Sequence, residues 1–299
     1  MKKYILLISA ISTLLYSCSE EESLTDATGV FESTEVIVSS EANGKILSLN
    51  LIEGDELKKD NYIGLIDSTN LYFKKKSLLA NKDVVLASRP DVSTQIEATK
   101  QEIEKQEKER KRVKRLVAGD VATQKQLDDI DASITILKAK LKSQKSSLGN
   151  SSNSVSAQAI ALDVQIEQVD DHIKKCNIYS PIDGTVLVKY SEAGELTAVG
   201  RPLFKVAQLE NMTLKAYVTA SQLTDIKLGQ EVKVYGEFGK EDNREYNGKI
   251  TWISSKSEFT PKTIQTQDER ANLVYAVKIA VKNDGFLKIG MYGGFKIGS

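Results

Sequence analysis

The sequence predicts an elongated protein of mixed α and β class: a split β-sandwich with an antiparallel coiled-coil hairpin inserted between its halves, followed by a small antiparallel β-barrel. Three observations predict it. Two short strand-rich segments echo one another 140 residues apart, a long heptad-patterned region separates them, and the C-terminal text alternates apolar and polar residues between turn signals.

The echoing segments are SEANGKILSLNLIEGDELKKDNYIGLIDS, from Ser40 to Ser68, and SPIDGTVLVKYSEAGELTAVGRPLFKVAQL, from Ser180 to Leu209. They align without a gap: Gly44 with Gly184, Ile46 with Val186, Leu47 with Leu187, Gly54 with Gly194, and Ile63 and Ile66 with Leu203 and Val206. Gly44 and Gly184, each after a side chain that favours turns, read as structural turns, and Gly54 and Gly194 mark a second turn between short apolar strands. Neither half has enough strands to bury both faces, so the two must close on each other. The pattern resembles the lipoyl or biotinyl carrier fold, whose halves meet at a tight hairpin bearing a modifiable Lys. Here a long insertion takes the place of that hairpin, and no Met-Lys-Met or Asp-Lys-Ala stands at the join. No cofactor is therefore expected.

The insertion, Leu71 to Cys176, is rich in helix formers. Val92, Ile96, Thr99, Ile103, Gln106, Arg110, Val113 and Val117 recur at steps of four and three, as do Leu127, Ile130, Ile134, Leu137, Leu141, Gln144 and Leu148. Two such seams joined by a short loop predict an antiparallel coiled coil. Gly119 suits a left-handed C-cap, and Thr123 with Gln126 spells a capping box. Pro90 lies 30 residues before Asp120, and Asn150 in the GNSSNS run lies 30 residues after it, which predicts facing breaks in both arms and two stacked helical segments.

The N-terminus reads MKKYILLISAISTLLYSCSEE: two lysines, then an apolar run too short to cross a bilayer. Residues 1–17 are therefore a signal peptide. Ser17 directly before Cys18, with Leu15 three residues before it, resembles a bacterial lipobox, although Tyr16 departs from the pattern. Cys18 is the expected lipidation site, and a lipid chain would hold the protein on a membrane. Cys176 is then the one cysteine left, expected as a small buried residue. With a single histidine, His172, a metal site is not expected. Lys plus Arg and Asp plus Glu balance at 41 each, and the 6% aromatic content offers no stacking platform, so no nucleic-acid partner is expected. There is no P-loop and no grouping of nucleophile, base and orienting residue, so no catalytic residue is assigned and the chain is not read as an enzyme.

Arg112, Leu116, Thr123 and Asp128 stand in the spacing R-x3-L-x6-[ST]-x4-D. With the split halves and the hairpin, this resembles the tip motif of the HlyD-type membrane-fusion proteins, the periplasmic adaptors, over about Phe31 to Ile297. The same residues also have plain structural readings: Thr123 as an N-cap, Leu116 as a seam residue, Arg112 and Asp128 as solvated charges. The cluster KERKRVKR, Lys108 to Arg115, reads as a solvated face or as one that meets an acidic rim on a partner.

The alternation after Gln208 suggests a small antiparallel β-barrel, which the resemblance also implies, and Trp252 reads as a core or strand-packing residue; Glu258 to Arg270 resembles a region found in adaptors of ABC-type exporters. The expected organisation is a lipid-anchored linker at 18–35, a first lipoyl-like half at 36–68, a helical hairpin at 69–177 with its tip near 117–123, a second half at 178–210, and a barrel with a membrane-proximal region at 211–299. The partners the resemblance implies are an outer-membrane exit-duct protein, an inner-membrane transporter with an ABC permease and ATPase favoured, and further copies of the chain in a hexamer. The expected location is the periplasm, anchored by lipid, with the inner membrane favoured. An adaptor for a proton-driven pump, a structural coiled-coil lipoprotein and a lipoyl or biotinyl carrier are the alternatives.

Overall fold

In the computed structural model, residues 24–238, 243–259 and 273–298 are described. The signal peptide, Cys18 and most of the Glu258 to Arg270 segment lie outside them.

The two echoing halves build one sandwich by exchanging strands. The first half contributes β2 (Glu35–Ser39), β3 (Gly44–Leu49), β4 (Glu56–Leu57) and β5 (Tyr62–Ile66), after β1 (Ala27–Glu32). The second contributes β6 (Asn177–Tyr179), β7 (Gly184–Lys189), β8 (Leu196–Thr197) and β9 (Pro202–Ala207). One sheet runs β2-β9-β7-β4 and the other β6-β5-β3-β8, so each contains strands from both halves. The exchange is symmetric: β4 pairs Glu56 with Thr185, and β8 pairs Leu196 with Lys45, the same contact shifted by the repeat. Neither half has a core alone. Ile46, Ile63 and Ile66 and their counterparts Val186, Leu203 and Val206 are all buried together with Cys176. Burial raises the Cys176 thiol above its usual range, which leaves it a packing group rather than a nucleophile.

Gly44 and Gly184 have a different role from the turns expected of them. Each opens a strand, and the demand on it is closeness: a Cβ on Gly184 would stand 2.4 Å from the Ala207 carbonyl oxygen. The left-handed turns belong to Gly54 and Gly194, both at φ +96.

Between the halves run α1 (Thr69–Ala87), α2 (Val92–Ala118) and α3 (Gln124–Lys175). Pro90 ends α1 as expected, and Asp91 starts α2, its carboxylate accepting from the Thr94 amide and from the Ser93 and Thr94 hydroxyls. These bonds hold the Asp91 pKa down to about 2. The second expected break is absent. The GNSSNS run is helical, and α3 continues for 52 residues, about 78 Å, as a splint beside both α1 and α2. Packing overrides weak propensity here: Val155 and Ala159 are buried, and Arg89, in the break, donates to Ser156 on α3 at 2.9 Å.

Antiparallel pairing is read directly from cross-arm contacts. Lys75 meets Asp170 at 2.7 Å and Lys82 meets Asp163 at 2.6 Å, seven residues up one arm and seven down the other. Beyond the break, Thr99 donates to Gln144 at 2.9 Å, Lys138 meets Glu107 at 2.8 Å, and Arg110 pairs with Asp131. The seam itself buries Ile96, Thr99, Ile103 and Val113 on α2 and Ile134 on α3.

The chain then forms β10 (Asn211–Thr219), a 3-10 turn (Gln222–Asp225), β11 (Glu231–Glu237), β12 (Asn243–Ile253), β13 (Glu258–Phe259), β14 (Leu273–Lys282) and β15 (Tyr292–Lys296). The order β10-β1-β15-β11-β12-β14 closes through a β14–β10 pairing into a six-stranded barrel around Phe31, Leu214, Val234, Ile279 and Phe295. Two expectations change. The segment read as a linker at 18–35 contains β1, a full member of the barrel, and the C-terminal strand β15 is its neighbour. Trp252 is 42% exposed instead of packed inside, because a bulge after the buried Ile250 turns it to the outer face, where Lys278 stands 5.7 Å over its ring.

Candidate functional site: the hairpin tip

The tip is a compact helix stop followed at once by a helix start. Gly119 caps α2 at φ −100, and the left-handed position falls on the next residue, Asp120, at φ +56. The expected glycine cap is thus displaced by one residue, onto a side chain type that tolerates this conformation. Two reversed bonds close the stop: the Val121 amide donates to the Leu116 carbonyl at 2.9 Å and the Asp120 amide to Val117 at 3.1 Å. Leu116 therefore serves the turn through its carbonyl, while its side chain stays 39% exposed.

Thr123 starts α3 through the capping box. Its hydroxyl oxygen accepts from the Gln126 amide at 3.3 Å, and the Gln126 side chain accepts from the Thr123 amide at 2.9 Å. Five residues on, Asp128 accepts from the Gln124 side chain at 2.8 Å. On α2, Arg112 pairs with Glu109 at 2.6 Å. Arg112 and Leu116 lie one turn apart on one side of α2, and Thr123 and Asp128 occupy the first turns of α3. All four are exposed, and their side-chain bonds run within their own helical segments, none across the seam.

Sequence reasoning missed Val121, which stands 75% exposed between the stop and the start. Its signal was an apolar residue in a two-helix turn where solvent alone would favour a polar one. Together Leu116 and Val121 give the tip an apolar crown between charged flanks, an arrangement suited to docking rather than to chemistry.

No protein-family model matches the chain. Over 321 residues it is 26% identical to a UPF0194 membrane protein of Citrobacter koseri, covering 97% of this chain and 96% of that one. Among solved structures it is similar to MacA from Actinobacillus actinomycetemcomitans, with a TM-score of 0.54 and 22% identity over 90% of this chain and 76% of that one. The membrane fusion protein Spr0693 from Streptococcus pneumoniae R6 superposes with a TM-score of 0.51 and 16% identity, over 91% and 97% of the two chains. The chain has the fold of the membrane-fusion, or periplasmic adaptor, proteins that its split halves and tip spacing resemble.

Proposed function

We propose that the protein is the adaptor subunit of a tripartite export system, joining an inner-membrane transporter of the ABC type to an outer-membrane exit duct. Several copies stand side by side, anchored in the periplasm through lipid on Cys18. The observation that supports this best is the hairpin: a helix of about 78 Å carries an exposed apolar crown, with the four motif residues around it, far from the sandwich and barrel. A spacer has no use for such a crown. No helix among the described residues is long and apolar enough to cross a membrane.

The test is photo-crosslinking in cells from a probe at Thr123 and a second at Glu258, with the adducts identified by mass spectrometry. Capture of an outer-membrane duct from Thr123 and of a permease from Glu258 is expected, and the permease identifies the pump as ABC-type or proton-driven. If Thr123 captures nothing but another copy of the chain, the tip is structural and the adaptor reading falls. Substituting Leu116→Asp abolishes export on this reading and leaves it intact if the hairpin is only a spacer.

A further inference from the structure

Just below the tip, α2 carries more cations than the hairpin neutralises. From Lys105 to Arg115 there are seven cations and two carboxylates. Ion pairs engage Lys108 with Glu104, Arg110 with Asp131 and Arg112 with Glu109, while Glu107 is held by Lys138. Lys111, Lys114 and Arg115 are exposed and make no ion pair among the described residues. With Ala118 they line one shallow hollow, at steps of three and four that place them on a single face of the helix. Arg112 stands about 100° around the helix from Lys111, so this face is separate from that of Arg112 and Leu116.

Like charges three and four residues apart weaken a helix. The C-terminal end of α2 attracts cations and accounts for one of them, Arg115, whose Nε also donates to the Lys111 carbonyl at 3.4 Å. It does not account for a row of three. The row contains no aromatic ring, so it lacks the stacking a single-stranded nucleic acid would use. It also lies at the opposite end of α3 from the barrel that takes in the N-terminal strand, away from a membrane surface holding that end.

We propose that Lys111, Lys114 and Arg115 form a docking face for a carboxylate-rich rim on the exit-duct protein. The inference rests on the docking reading of the tip and adds the chemistry of the partner. Cationic and apolar faces then act separately, the first setting encounter rate and salt sensitivity, the second holding the contact once made.

The experiment uses the full chain with a photo-reactive probe at Thr123, in three forms: unaltered, K111Q/K114Q/R115Q, and K111E/K114E/R115E. Capture by the unaltered chain is the control, and its failure would sink the docking reading itself. Given that control, the duct adduct is expected to fall about three-fold with the neutral variant and ten-fold or more with the reversed one. The neutral variant should melt within about 2 °C of the unaltered chain, because the repulsion removed offsets the lost helix-end interaction of Arg115. Undiminished capture by the reversed variant overturns the proposal. So does a neutral variant that loses capture and melting temperature together, which makes the row structural, or an unaltered chain whose adduct is phospholipid or a second copy.

Discussion

Replacing Gly149 by Ala tests whether α3 is a single helix. Gly149 sits within α3, and a Cβ built on it meets nothing within 4 Å, so the methyl group enters open space. A glycine inside a helix costs about 1 kcal/mol relative to alanine, mostly as backbone entropy lost on folding. Gly149→Ala should therefore stabilise the hairpin by about 1 kcal/mol, raising the Tm followed by circular dichroism by about 2 °C. Amide exchange across residues 145–153 should slow by about five-fold in the same variant. Were there a break here facing Pro90, alanine would force helix onto a turn and lower stability. A lower Tm, or unchanged exchange over that window, would refute the continuous splint.

Four further outcomes follow from the geometry. Gly119→Ala should change stability by less than about 0.5 kcal/mol, since the left-handed position is Asp120; a loss of several kcal/mol by urea unfolding would return the cap to Gly119. Thr123→Ala should cost about 1 kcal/mol through the lost cap and speed exchange at the Gln126 amide, whereas Thr123→Ser should do neither. Gly184→Ala should cost about 2 kcal/mol or more, because its Cβ would overlap the Ala207 carbonyl of β9; wild-type unfolding by urea would show the strand can shift. Asp91 has its pKa held below the usual 3.8, at about 2, so its contribution is complete above about pH 4 and vanishes as pH falls through 2. Exchange protection in the first turn of α2 should decline over that window in the natural chain and stay flat in Asp91→Asn.

The sandwich was legible because its information is local and stated twice: the same apolar spacing and the same Gly54 and Gly194 turns recur at one offset. The seams of α2 and α3 were legible for a similar reason, since heptad spacing encodes the partner face without naming the partner. What was misread depended on distant contacts. β1 is six residues between polar runs, and its neighbours β10 and β15 come from the other end of the chain. The GNSSNS run has weak propensity, and its helix is imposed by what lies across the hairpin. Trp252 follows a bulge that alternation cannot announce. At the tip, the capping box was spelled out in Thr123 and Gln126, while the left-handed residue was off by one because glycine was the expected occupant and Asp120 took the place. The crown residue Val121 carried no motif at all.

The placement of β1 also decides how the molecule behaves under tension. From the N-terminus the backbone runs through β1, crosses at Ser33 and Thr34 into β2, and continues through the first sandwich half into the ascending arm and the tip. A pull between the N-terminus and the tip travels along this route and bypasses the covalent path of the other five barrel strands, which surround β1 like a sleeve on a tie rod. Slip of β1 is opposed by five registered residue pairs with β10 and four with β15, all sheared at once instead of opened one by one. A strand of six residues thereby makes the barrel a clamp on the N-terminal end of the described chain.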